Sequence, residues 1–188
     1  HLGQYGNFSN GLKHGLCKLY SDTQDTLITA YYNNDTLDGM YICEKLVSLS
    51  IDYQDGKGFV PVSFYDKQSD GYFTNGVKDS LWKYYYLGII TREGKYLNGY
   101  KNGQWTESYM MPNVKEVGNY YNDKKGGEWI VYLNDSNDSI NFAKINYITH
   151  FEDGIENGVE EAFYTTRYLV SKDWSMRSVC ADRKGVVQ

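Results

Sequence analysis

The feature that most constrains this chain is a turn motif that recurs along it. Asn10-Gly-Leu-Lys-His-Gly15, Asn75-Gly-Val-Lys-Asp-Ser80, Asn98-Gly-Tyr-Lys-Asn-Gly103 and Asn122-Asp-Lys-Lys-Gly-Gly127 share one plan. Each has Asn, then Gly or Asp, a Lys three residues after the Asn, and a Gly or Ser five after it. An aromatic precedes each turn (Phe8, Phe73, Tyr96, Tyr120), and Cys17, Trp82, Trp105 and Trp129 come after it at matching positions. Weaker copies occupy 32–44 and 151–163, and a degenerate Tyr53-Gln-Asp-Gly-Lys-Gly58 fills the gap between two of the others. Numbered by Asn10, Asn34, Asp55, Asn75, Asn98, Asn122 and Asp153, the copies stand about 23 residues apart.

Each copy reads as a β-hairpin. Asn-Gly supplies the positive φ angles of a tight turn, and the Gly five residues after the Asn is expected to end the loop. The flanking runs of about five residues match ordinary strands. With that loop length, Phe8 faces Cys17, Phe73 faces Trp82, Tyr96 faces Trp105 and Tyr120 faces Trp129. A lone hairpin is marginal in water, so stability must come from stacking neighbour on neighbour. The expected fold is all-β: an elongated single-layer array of about seven antiparallel β-hairpin repeats over residues 1–164. A C-terminal segment, 165–188, then caps the last open edge through Trp174, Met176 and Val179, or serves self-association at that edge. Trp82 and Tyr85, like Trp129 and Tyr132, are three apart. Either both faces of the sheet carry aromatics or a bulge turns the second residue over.

The Asn-Gly-x-Lys-x-Gly-x-Trp-x-x-Tyr order at 75–85, 98–105 and 122–132 resembles the MORN-repeat variant of bacterial YwqK-type, antitoxin-like proteins. The resemblance covers about residues 3–164. Ser80, Asp123, Cys17 and Tyr41 depart from the pattern, and residues 50–65 fit it poorly. What the resemblance implies is a hairpin array used for protein–protein contact, in some members to neutralise a toxin. It implies no catalytic residues.

Composition narrows the function classes. The 188 residues carry a formal net charge of −5, which disfavours nucleic-acid or anionic-membrane partners and would suit a basic protein toxin. No apolar run is long enough for a membrane-spanning helix. Aromatic residues make up 16% of the chain, including 20 Tyr, which argues against disorder. The chain begins at His1, so a removed leader or an internal start is expected. Its richness in Asn, Asp and Tyr points to an exported protein, whereas toxin neutralisation would place it in the cytoplasm.

The sequence carries no catalytic, cofactor or metal motif. His14 occupies a turn position held elsewhere by Asp79, Asn102 and Gly126, which marks a loop residue. No nucleophile elbow or phosphate-binding glycine loop occurs. Asp135-Ser-Asn-Asp138 lacks the glycine and terminal Glu of a calcium loop. Asp22/Asp25, Glu152/Asp153 and Glu160/Glu161 read as a solvated acidic rim. Cys17 and Cys43 are either a disulfide or buried small apolar residues, and Cys180 is left over.

The expectation is therefore a non-enzymatic protein-binding module, with no cofactor. Tyr and Trp dominate binding hot spots, and the central units carry them densely. Tyr84, Tyr85, Tyr86, Trp105, Tyr121 and Tyr132 are the candidate contact residues. The alternative is a carbohydrate- or cell-wall-binding repeat protein, in which ring faces between units hold the ligand.

Overall fold

The computed structural model describes residues 3–52, 59–109, 114–133, 144–157, 160–163 and 184–187, and every regular element among them is a β-strand. The chain divides into two compact units, His1–Tyr100 and Lys101–Gln188. The first carries β1 (Gln4–Ser9), β2 (Leu12–Tyr20), β3 (Thr26–Asn33), β4 (Thr36–Asp52), β5 (Phe59–Thr74), β6 (Val77–Tyr86) and β7 (Ile89–Leu97). Each pairs antiparallel with the next in chain order. β8 (Tyr100–Tyr109) begins at the boundary. The second unit continues with β9 (Val114–Tyr121), β10 (Lys124–Leu133) and β11 (Lys144–Glu152), again paired in order. β12 (Ile155–Glu156) and β13 (Glu160–Phe163) both pair with β11, and β14 (Lys184–Val187) pairs with β13. The fold is the all-β hairpin array that the repeat announces.

The turns close in two residues. Asn10-Gly11, Asn34-Asp35, Asn75-Gly76, Asn122-Asp123 and Asp153-Gly154 all have two successive φ angles between 48° and 84°, the type I′ geometry that suits strand twist. Asn98-Gly99 has the same pair of angles, 52° and 88°. The second Gly of the motif therefore does not end the loop, as expected from sequence. Gly15, Gly103 and Gly127, with Ser80 in the same slot, take φ between 60° and 78° inside the second strand. There they form a bulge: a step of two positions in the first strand, Asp70 to Tyr72, is matched by a step of four in the second, Lys83 to Asp79. The same two-against-four step recurs at β1/β2, β3/β4 and β9/β10.

This bulge changes the cross-strand partners. Phe8, Phe73 and Tyr120 stand directly opposite Lys13, Lys78 and Lys125, not opposite Cys17, Trp82 and Trp129. The aromatics still touch the tryptophans obliquely: Phe73 and Trp82 meet edge to face at 5.2 Å, and Tyr120 and Trp129 at 5.1 Å.

In each unit a row across the strands forms the core. In the first unit it runs Gly6, Cys17, Ala30, Tyr41 and Gly71 by direct pairing, and Trp82 pairs with Gly94. In the second, Trp105 pairs with Gly118 and Trp129 with Thr149. Large and small residues alternate because the Trp82 and Trp129 indoles each lie over a glycine of a neighbouring strand. A Cβ on Gly71 would sit 2.3 Å from the Trp82 ring, and one on Gly118 2.3 Å from Trp129. Each of these indole N–H groups then donates to a carbonyl beside that glycine, Tyr72 at 3.0 Å and Asn119 at 3.2 Å. Trp82, Trp105 and Trp129 are at most 1% exposed.

Neighbouring hairpins are also laced at their turns. The Asp35, Gly76 and Gly99 amides donate to the carbonyls of Lys13, Leu37 and Lys78, and those of Asp123 and Gly154 to Lys101 and Lys125. Six tight turns of the motif are present among the described residues. The degenerate unit at Asp55 lies outside them. The strands either side of it, β4 and β5, pair without a break from Glu44 and Lys67 out to Asp52 and Phe59, so one long ribbon stands where a seventh short hairpin was expected. Trp174, Met176, Val179 and the expected boundary at 164/165 also lie outside the described residues.

Candidate interaction surface

The lysine of the motif belongs to the core face. Lys78 Nζ lies 4.3 Å from the Trp82 ring centroid, and also stands over Tyr84 and Tyr96. In the second unit Lys101 lies 4.4 Å from both Trp105 and Tyr120, and Lys125 3.9 Å from Trp129. Spacing puts Lys and Trp, four apart, on one face, where the cation covers the indole. Each charge in the second unit is also paired: Lys101 with Glu107 at 2.9 Å and Lys125 with Glu116 at 3.0 Å. Glu107 is buried and also accepts from Tyr120 and, more loosely, Tyr109. Burial opposes its ionisation, but Lys101, Lys125 and the Tyr120 hydroxyl outweigh burial and hold its pKa below the ordinary carboxylate value. Burial first and the Glu107 charge second push the Tyr120 phenol up.

The opposite face is built differently. Along β6, Trp82 and Tyr84 point one way and Leu81, Lys83 and Tyr85 the other. The irregularity beside Tyr84 and Tyr85 adds Thr91 to β7 and leaves the β6 alternation intact, so both faces carry aromatics. Leu81, Lys83 and Tyr85 join Met40, Ile42, Asp70 and Tyr72 around an open concavity of about 270 Å³. Tyr72 is 52% exposed and Leu81 46%. The rim is held in place: the Tyr85 hydroxyl donates to Asp70 at 3.1 Å, and Lys67 donates to the same carboxylate at 2.9 Å while standing over the Tyr85 ring. Burial, then the Asp70 charge, raises the Tyr85 pKa, and the Asp70 hydrogen bond raises that of Lys67.

The six candidate contact residues divide between these environments. Tyr84 is half-buried on the core face, its hydroxyl bonded to Lys78 at 2.8 Å and Tyr96 at 2.9 Å, with Arg92 4.7 Å over its ring. Tyr85 lies on the other face, and Tyr86 is exposed beside Leu87 and Ile89. In the second unit Trp105 has no exposed surface, which removes it from the residues a partner can touch. Tyr121 is exposed on the face opposite Trp105, and Tyr132 is half-buried. Sequence reasoning missed Tyr72 and Leu81. Their signal was present: each sits next to a core-row residue, Gly71 or Trp82, and therefore on the opposite face.

A second concavity, about 200 Å³, lies on the core face of the second unit, lined by Glu116, Lys125, Trp129, Val131, Tyr147, Thr149, Phe151 and Glu156. Its aromatic floor already holds a cation, Lys125. Among the described residues no group of three His, Cys, Asp or Glu side chains could hold a metal, and Cys17 and Cys43 are free thiols. Among the described residues no helix is long and apolar enough to cross a membrane. No protein-family model and no curated protein matches the chain.

Proposed function

We propose that this chain is a protein-binding repeat array, and that the Tyr72–Leu81 face of the first unit is a contact surface. The observation that carries the reading is the asymmetry of the two faces. In the first unit one face is closed over Trp82 by Lys78, Tyr84 and Tyr96. The other leaves aromatic and aliphatic side chains open around a rim tethered by Asp70, the combination favoured at interfaces. The resemblance to MORN-variant repeats supports the same class. The finer reading, neutralisation of a basic toxin, follows from that resemblance and the net charge of −5.

The carbohydrate reading needs ring faces open between units, and Trp82, Trp105 and Trp129 are closed. The test is capture of host proteins by the wild-type chain and by a Tyr72→Asp/Leu81→Asp variant with an unchanged circular dichroism spectrum. The expected result is a protein retained by the wild type and lost from the variant. Equal capture by both, or specific binding to a glycan array instead, overturns the proposal.

A further inference from the structure

Among the described residues, the long ribbon made by the outer parts of β4 and β5 has no third strand beside it. Its base is fixed. The Leu46 amide donates to the Asp25 carbonyl at 2.7 Å, the Tyr65 hydroxyl to the Gln24 carbonyl at 2.7 Å, and the Leu87 amide to buried Asp66 at 3.0 Å. β3 ends opposite Lys45, so beyond Leu46 no described strand pairs with the outer edge of β4. Past that point the two strands read Val47-Ser-Leu-Ser-Ile51 and Val60-Pro-Val-Ser-Phe64, strict alternation without a charge. Register places Val47 opposite Phe64 and Leu49 opposite Val62 on one face, with Ser48 opposite Ser63 on the other, their hydroxyls 2.9 Å apart. Leu49, Val62 and Phe64 are 43%, 37% and 41% exposed. Two strands with an uncovered apolar face are marginal, and a third strand is the usual remedy.

The two edges of the ribbon differ. Pro61 stands opposite Ser50 and has no N–H, which fits a pair whose N–H groups point away from the ladder. On β5 the outer edge is therefore blunted by proline. By the same alternation the Ser48 and Ser50 amides of β4 point outward, along a run with no Pro, no Gly and no charge. That edge carries none of the usual protections against pairing.

We propose that residues 47–51 of β4 pair antiparallel with the same residues of a second copy of this chain, across a two-fold axis at Leu49. The occupant is identified by the sequence itself. Val-Ser-Leu-Ser-Ile is close to a palindrome in character, so the two-fold sets Val47 against Ile51 of the second copy, Ser48 against Ser50, and Leu49 against Leu49. Like meets like on each face of the four-stranded sheet that results. Lys45 and Glu44 at the base are already opposed by Asp66 and Lys67, so the copies approach without a like-charge cost. A C2 interface must be self-complementary in this way. This pairing uses a different part of the unit from the Tyr72–Leu81 face and stands or falls separately from it.

Sedimentation equilibrium across a concentration series should show a monomer–dimer equilibrium. Ser50→Pro, which removes one outward amide opposite an existing proline, should raise the dissociation constant by about tenfold or more at unchanged melting temperature. In a background with Cys43 and Cys180 changed to Ser, Leu49→Cys should give a disulfide-linked dimer under air oxidation. The reason is distance: a non-hydrogen-bonded antiparallel pair holds its Cα atoms about 4.5 Å apart, within disulfide reach. Ser63→Cys in the same background should not. A wild type that stays monomeric into the millimolar range, a Ser50→Pro variant that dimerises like wild type, or equal crosslinking through Ser63→Cys overturns the proposal.

Discussion

The first hairpin, β1–β2, and the third, β5–β6, are built on the same turn and differ in the residue that fills the core row. Both have Asn-Gly at the tip, Lys opposite an aromatic, and a Gly beside the core position. The first places Cys17 there and the third Trp82. Phe8 is left 53% exposed, whereas Phe73 is half-buried between Tyr41 and Trp82, each 5.2 Å away. The turn sets register equally well in both. Burial depends on the large residue, which reaches across two strands where the thiol reaches one.

That contrast is open to measurement. Trp82→Ala should destabilise the first unit by about 4 kcal/mol and Cys17→Ala by about 1 kcal/mol in urea unfolding, because the cavity left by the indole is far larger. Equal losses would mean that the turn, not the row, supplies the stability.

In the second unit the charge buried beside the row should come next. Glu107→Ala should cost about 3 kcal/mol, since it leaves Lys101 partly buried beside Trp105 without its anion. The pH dependence has a definite sign. With its folded pKa depressed, Glu107 contributes fully above the unfolded carboxylate value of about 4.3, and its contribution is lost as pH falls through the lower folded value. The stability gap between wild type and Glu107→Gln, followed by thermal melts, should therefore narrow below that pH and not above it.

Gly118→Ala should lose about 2 kcal/mol, because the new methyl meets the Trp129 ring, which is held on all sides. The smallest effect tests the bulge. Ser80 takes φ 60° where the equivalent residues are Gly, so Ser80→Gly should stabilise by about 1 kcal/mol. Gly103→Ser, with nothing within 4 Å of its Cβ position, should destabilise by a similar amount. Opposite signs of matching size would isolate the backbone cost from packing.

Much of the fold was legible because the repeat is local chemistry. Asn followed by Gly reverses a strand wherever it occurs, and copies of it at regular intervals leave few alternatives to a stack of hairpins. The register was not legible from Asn75 and Ser80 alone. A six-residue loop and a two-residue turn with a bulge after it have the same residues, and only pairing with β5 separates them. The candidate contact residues were read from aromatic type, and type does not report which side of a strand faces the ladder. Trp105 and Tyr121 differ in burial because one shares a face with Lys101 and the other does not. The ribbon was masked for a further reason: 47–51 and 60–64 alternate cleanly, but they lack the turn motif that organised the rest.

By itself, the sequence determined that this chain is an array of antiparallel hairpins, because two successive positive φ angles at Asn-Gly and its relatives leave the backbone one tight way to turn. Only the tertiary structure decided which aromatics are core and which are surface. That choice rests on a bulge of two residues and on glycines of the neighbouring strand that make room for the Trp82 and Trp129 indoles. Both are properties of strands brought together, not of any one of them.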